Sequence, residues 1–184
     1  MKPILVAYAT TEGHTRKVAS RVAETLRALG RPVDLVDVAG PAADSLSPMY
    51  AGAILAGSLH LGVHQSALAE FARRNRDWLN ACPAAFLSVS LTAVLTDDAS
   101  RAACRDAAQQ FLDVTGFAPG IVLPVAGALP YTQYDWFRRF ALKRIAGKHG
   151  GDTDTTRDFE YTDWPALDNF AREFVQAARL DAGH

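Results

Sequence analysis

Thr10-Thr11-Glu12-Gly13-His14-Thr15 follows a short apolar run and opens a segment of helical periodicity, so these residues stand where a helix begins. A helix N-terminus carries unpaired backbone N–H groups and the positive end of the helix dipole, and both attract an anion. Gly13 lets the backbone turn tightly, and the hydroxyls of Thr10, Thr11 and Thr15 can donate to phosphate oxygens without a lysine. That donor set suits a phosphate monoester. A triphosphate loop would end in Gly-Lys-Ser/Thr and a dinucleotide loop would read Gly-x-Gly-x-x-Gly; neither pattern is present, which disfavours ATP and NAD. The competing reading is a threonine-rich helix cap that serves no ligand. Glu12 is read as a solvated member of the loop, since a carboxylate has no proton to give a phosphate.

Two further segments end apolar runs in the same manner: Ser58-Leu59-His60-Leu61-Gly62-Val63-His64 and Ser88-Val89-Ser90-Leu91-Thr92. Small polar residues interleaved with apolar ones suit a flat ring that needs backbone hydrogen bonds at its edge and apolar contact on its faces. His60 and His64 are the candidate catalytic acid–base residues, because an unshifted imidazole titrates near neutral pH; loop structure or helix capping is the alternative for each.

The elements that must bring these loops together are short apolar runs alternating with helical periodicity, the pattern of crossover helices on both faces of a parallel sheet. The strands are expected at Ile4 to Tyr8, Val33 to Val38, Gly52 to Gly57, Ala85 to Val89 and Ile121 to Val125. The first helix begins near Thr15, with Val18, Val22, Leu26 and Leu29 as its inner stripe and Gly30 closing it. A second runs from Gln65 to Leu79 and buries Leu68, Phe71 and Ala72. The next, Ser100 to Thr115, turns Ala103, Ala107, Phe111 and Val114 inward, and the last, Pro165 to Ala178, buries Leu167, Phe170, Phe174 and Val175. The fold class is therefore α/β, a doubly wound five-stranded parallel sheet in one domain over residues 1–184. Its strand order reverses beside the first strand, so that the ends of strands one, three and four surround one crevice.

About forty residues separate the fifth strand from the last helix, far beyond the usual two to six, so a segment over about 129–160 is read as an insertion. Within it, Trp136, Phe137, Phe140, Ala141 and Ile145 fall near one helical side, with Arg138, Arg139, Lys143, Arg144 and Lys148 around them. Such a basic amphipathic stretch can meet anionic lipid or the carboxylates of a substrate; a helix packed on the domain with its charges in water is the alternative.

A chain of 184 residues, 49% of them hydrophobic, can bury one sizeable core. Its formal charge of -1 supplies no global field for collecting nucleic acid. Cys82 and Cys104 lie far apart with no metal-ligand spacing, which fits a reducing compartment and no metal. The apolar start is too short for a signal-peptide core and no run could span a bilayer, so the expected location is cytoplasmic, peripheral on the inner face of the cell membrane.

Tyr8-Ala9-Thr10-Thr11-Glu12-Gly13-His14-Thr15-Arg16 resembles the FMN-phosphate loop of flavodoxins, and more closely that of the quinone-dependent, flavodoxin-type protoporphyrinogen oxidases of bacteria. The likeness continues through Gly57-Ser58, Gly62, Ser66-Ala67, Pro83-Ala84-Ala85-Phe86 and Ser88-Val89. It is strongest late in the chain, at Ala126-Gly127-Ala128-Leu129, Tyr131, Tyr134, Gly150-Gly151-Asp152-Thr153-Asp154-Thr155, Tyr161-Thr162-Asp163-Trp164 and Asn169-Phe170-Ala171-Arg172-Glu173. The resemblance implies a flavodoxin-like fold and FMN held by Thr10 to Thr15, Ser58 to Gly62 and Ser90-Leu91-Thr92. It implies oxidation of protoporphyrinogen IX to protoporphyrin IX in haem synthesis, with electrons passed to a membrane quinone. Leu59-His60-Leu61 departs from the arginine and aromatic expected there from the best-known branch of the family. The alternatives are a quinone reductase or electron-carrying flavodoxin with another donor, and a non-enzymatic peripheral membrane protein of the same fold. A homo-oligomer is left open.

Overall fold

A computed structural model describes residues 1–46, 49–60, 62–95, 97–129 and 159–178. The chain runs β1 (Ile4–Ala9), α1 (His14–Ala28), β2 (Val33–Asp37), a 3-10 turn (Pro41–Ser45), β3 (Gly52–His60), β4 (Val63–His64), α2 (Ser66–Arg74) and α3 (Arg76–Leu79). It continues with β5 (Ala84–Ser90), a second 3-10 turn (Thr92–Val94), α4 (Asp98–Thr115), β6 (Ile121–Ala126), β7 (Ala128–Leu129), β8 (Phe159–Glu160) and α5 (Trp164–Ala177).

Five strands pair in parallel in the order β2-β1-β3-β5-β6, which is the doubly wound sheet expected; β4 adds a short antiparallel edge to the end of β3. All six residues of β1 and all seven of β5 are buried, because helices cover both faces. Alternation divides them between two cores. Ile4, Val6 and Tyr8 pack with Val18, Val22 and Leu26 of α1 and Leu167, Phe170 and Phe174 of α5. Leu5, Ala7 and Phe86 face Leu68 and Phe71 of α2 and Phe111 of α4. Among the described residues no helix is long and apolar enough to cross a membrane, and Cys82 and Cys104 are free thiols.

Four local expectations change. β3 runs on to His60, so Ser58, Leu59 and His60 are the end of a strand and not a loop. The helix expected over Gln65 to Leu79 breaks at Asn75, whose side chain donates to the Phe71 carbonyl (2.9 Å) and accepts from the Trp78 indole (2.9 Å). Leu29 lies beyond the last turn of α1 and is 43% exposed. On α4 the buried stripe is Ser100, Cys104, Ala108, Phe111 and Thr115, leaving Ala103 and Val114 outside. That helix mixes alanine, serine, cysteine and threonine on several sides, so its hydrophobic gradient is shallow and the partners across the sheet choose the face.

The residues read as a membrane or substrate contact, Trp136, Arg138, Arg139, Phe140, Lys143 and Arg144, lie outside the described residues. The two ends of their segment do not. β7 and β8 pair antiparallel, Ala128 with Glu160 and Leu129 with Phe159, so the chain leaves and returns at one place.

Candidate functional site

At the end of β1 the Thr10 hydroxyl accepts from the Gly13 N–H (2.9 Å), and Gly13 turns into α1 with φ +83, a conformation that strains any side chain. Gly13 is the N-cap, so α1 begins without a side-chain cap. The other long helices differ: Asp97 caps α4 by accepting from the Ser100 N–H (3.0 Å), and Asp163 caps α5 from the Ala166 N–H (2.9 Å). The first N–H groups of α1 thus keep their donor capacity for something other than a capping side chain. Thr15 is 0% exposed and its Oγ1 has no hydrogen-bond partner. A buried hydroxyl left so costs about 1–3 kcal/mol, which an anionic oxygen at the loop would recover. These features weigh against the plain helix-cap reading of the threonines.

The parallel register brings the other two segments alongside: Ser58 pairs with Val89, and Gly57 with Ser88. One cleft, with about 460 Å³ of open space including its mouth, is lined by Thr10, Thr11, Glu12, His14 and Thr15, by Ser58, Leu59 and His60, and by Ser90 and Leu91. Gly13 stands behind this lining at the helix cap, Gly62 (φ +84) and Thr92 stand outside it, and Leu61 is outside the described residues. Val89 of the third segment also lines the cleft, as do Gly127 and Ala128, which sequence reasoning did not place there. Gly127 belongs there because its N–H donates to the Ser90 carbonyl (3.0 Å), leaning the strand after β6 onto the third segment.

His60 is partly exposed at the cleft. His64, the other candidate catalytic histidine, is not part of the lining. Its Nε2 shares a hydrogen bond with the Ser88 hydroxyl (3.0 Å), and its ring meets Phe86 and Phe111 edge-on, with centroids 5.1 and 5.3 Å away. Burial pushes its pKa down to about 4. So held, the ring is neutral at neutral pH and packs against the two phenylalanines, outside the cleft lining.

Two residues make contacts that spacing did not mark. Gln65 donates through Nε2 to the Thr11 hydroxyl (3.2 Å) and to the Ser58 hydroxyl, tying the first segment to the second across the cleft. His14 reaches across the chain: its Nε2 meets the Thr162 hydroxyl at 2.7 Å, and Thr162 donates to the Ala126 carbonyl at 2.7 Å. Glu160 stands 3.6 Å from His14 Nδ1, pairs with Lys17 at 3.1 Å and accepts from the Trp164 indole at 3.1 Å. No cluster of metal-ligating side chains occurs among the described residues.

The flavodoxin domain family matches residues 5–156. The chain is 34% identical over 171 residues to the Escherichia coli K12 protein named protoporphyrinogen IX dehydrogenase (quinone), covering 93% of each. A Leishmania major protein of the same name is 33% identical over 172 residues, 93% of this chain and 74% of that one. Among solved structures, oxidised flavodoxin 2 from Bacillus cereus superposes with a TM-score of 0.57 at 18% identity, covering 95% of this chain and 99% of that one. Streptococcus pneumoniae flavodoxin gives 0.56 at 18% identity, covering 95% and 98%. At such identities the structures speak for the fold alone.

Proposed function

The chain belongs to the flavodoxin domain family and to the protoporphyrinogen IX dehydrogenase group within it, and from that premise we propose that it oxidises protoporphyrinogen IX with FMN and passes the electrons to a membrane quinone. The observation that supports a phosphate-bearing cofactor is the Thr15 hydroxyl, buried without a partner at the start of a helix that has no side-chain cap. The residues present fit FMN. Thr15, Thr11 and the N–H groups opening α1 would hold the phosphate, while Leu59, Val89 and Leu91 offer apolar contact to a ring and Ser58 and Ser90 offer polar atoms at its edge. When bound, the flavin supplies the two-electron redox chemistry. His60, partly exposed at the cleft, would take or return a proton of the substrate.

Stopped-flow absorbance under argon tests the reaction. Excess protoporphyrinogen is expected to bleach the flavin and a menaquinone analogue to restore it faster than dioxygen does. A flavin that stays oxidised with porphyrinogen but bleaches with NADH would hand the assignment to a quinone reductase.

The phosphate site has its own test. Purified protein is expected to bind FMN in preference to FAD, and Thr15→Ala to weaken FMN by about 1.5–3 kcal/mol, or about ten- to a hundredfold. Wild-type protein that takes up no FMN on titration would contradict this. The basic stretch around Arg138 and Lys143 supports a peripheral seat on anionic membrane. Sedimentation with anionic liposomes at low salt, lost at high salt, is the expected behaviour, and indifference to liposomes would remove the membrane from the proposal.

A further inference from the structure

We propose that His14 is the proton-uptake group of the phosphate site: its imidazole is neutral as the protein stands and becomes an imidazolium paired with Glu160 when a phosphate dianion binds the loop. The role rests on the phosphate reading of Thr10 to Thr15 given above.

Proton counting fixes the tautomer. The Thr162 hydroxyl has one proton and donates it to the Ala126 carbonyl at 2.7 Å. It can therefore only accept from His14, so the proton of the neutral ring sits on Nε2, 2.7 Å away. Nδ1 is left as a lone pair. It is buried, has no hydrogen-bond partner, and stands 3.6 Å from an oxygen of Glu160, an atom that can only accept. A proton placed on Nδ1 turns this contact between two acceptors into an ion pair.

The charged groups acting on the ring are Glu160 of β8 and Lys17 of α1; Thr162 and the Trp164 indole, whose ring centroid is 6.2 Å away, are its neutral neighbours. Burial is the largest influence and holds the imidazole below its ordinary pKa, with Glu160 pulling up and Lys17 pushing down. Lys17 also pairs with the same Glu160 oxygen at 3.1 Å, so part of that carboxylate's pull is already spent. The balance lacks one negative charge. His14 is the first residue of α1 and lines the cleft, so a dianion at this helix start opposes the helix dipole and Lys17, which act with burial to keep the ring neutral. Solvent supplies the proton, and no other bond changes.

The test follows the histidine Cε1–H signals of the full-length protein against pH by NMR, alone and with FMN, inorganic phosphate or riboflavin. His14 is identified by its absence in His14→Gln, whose carboxamide can still donate to Thr162, or by through-bond assignment if that variant folds poorly. FMN and inorganic phosphate are expected to raise the His14 midpoint by about one pH unit or more, and riboflavin, which has the ring but no phosphate, to leave it in place. The ratio of wild-type to His14→Gln affinity for FMN should grow by about threefold or more from pH 7.5 to pH 6. FMN bound with the midpoint unmoved, or riboflavin moving it equally, overturns the role of His14 and leaves the phosphate site standing. Failure of both FMN and inorganic phosphate to bind overturns the phosphate reading and this role with it.

Discussion

Phe86→Ala is expected to lower the free energy of unfolding by about 3–5 kcal/mol, the usual cost of emptying a fully buried phenylalanine site. Phe86 is 0% exposed on β5, stacks on Phe111 of α4 at 4.5 Å between centroids with 13° between planes, and takes the edge of His64. Three elements meet at that ring. β5 lies between β3 and β6, so its two neighbours keep it from sliding to close the hole, and little of the cost should be recovered. A domain of ordinary stability holds only about 5–15 kcal/mol in reserve, so the variant should sit near the edge of folding at 37 °C. Urea titration at 15 °C measures the loss, with Phe86→Leu as a milder control. A loss under about 1 kcal/mol would show that α4 collapses onto the sheet and that the aromatic cluster does not set the position of this face.

Stability is expected to fall by about 2–3 kcal/mol between pH 6.5 and pH 4 on account of His64 alone. Burial holds its pKa down at about 4, against 6.5 for an ordinary imidazole. Above pH 6.5 the ring is neutral in both folded and unfolded chains, and its contribution is fully present. As pH drops below 6.5 the unfolded chain gains a proton that the folded chain refuses, so folding loses about 1.4 kcal/mol per pH unit until the folded pKa is reached. Partial exposure of the ring trims the full value. Carboxylates and other histidines titrate as well, so the quantity to follow is the difference between wild type and His64→Leu across this range. Leucine leaves the Ser88 hydroxyl without its partner, but that offset does not vary with pH. A difference curve flat from pH 6.5 to pH 4.5 would show that the ring is hydrated in the folded protein.

The parallel sheet was legible because its cause is local and repeated. A strand covered on both faces must be apolar at successive residues, and Ile4 to Ala9 and Ala84 to Ser90 carry that requirement openly. The phosphate loop was legible for a similar reason, since strand, turn and helix are contiguous and the turn needs Gly13. α4 was misread because its buried face carries Ser100, Cys104, Ala108 and Thr115, residues no more apolar than the Ala103, Ala107 and Val114 expected to be buried. The side chains it packs against, Phe86 of β5 and Leu68 and Phe71 of α2 among them, decide which side turns in.

The three histidines near the cleft divide in the same way. Sequence by itself determined that His60 and His64 flank the Gly62 turn and that His14 stands where a helix opens at a phosphate-suited loop. Tertiary structure alone decided their chemistry. β4 folds back on β3 and carries His64 edge-on against the stacked Phe86 and Phe111, where desolvation keeps it neutral, while the β7–β8 pair brings Thr162 and Glu160 to His14 from 148 and 146 residues away. A side chain's spacing along the chain sets which backbone groups lie near it. Its charge state depends on what the returning chain packs against it, and that is settled by long-range burial that no local pattern encodes.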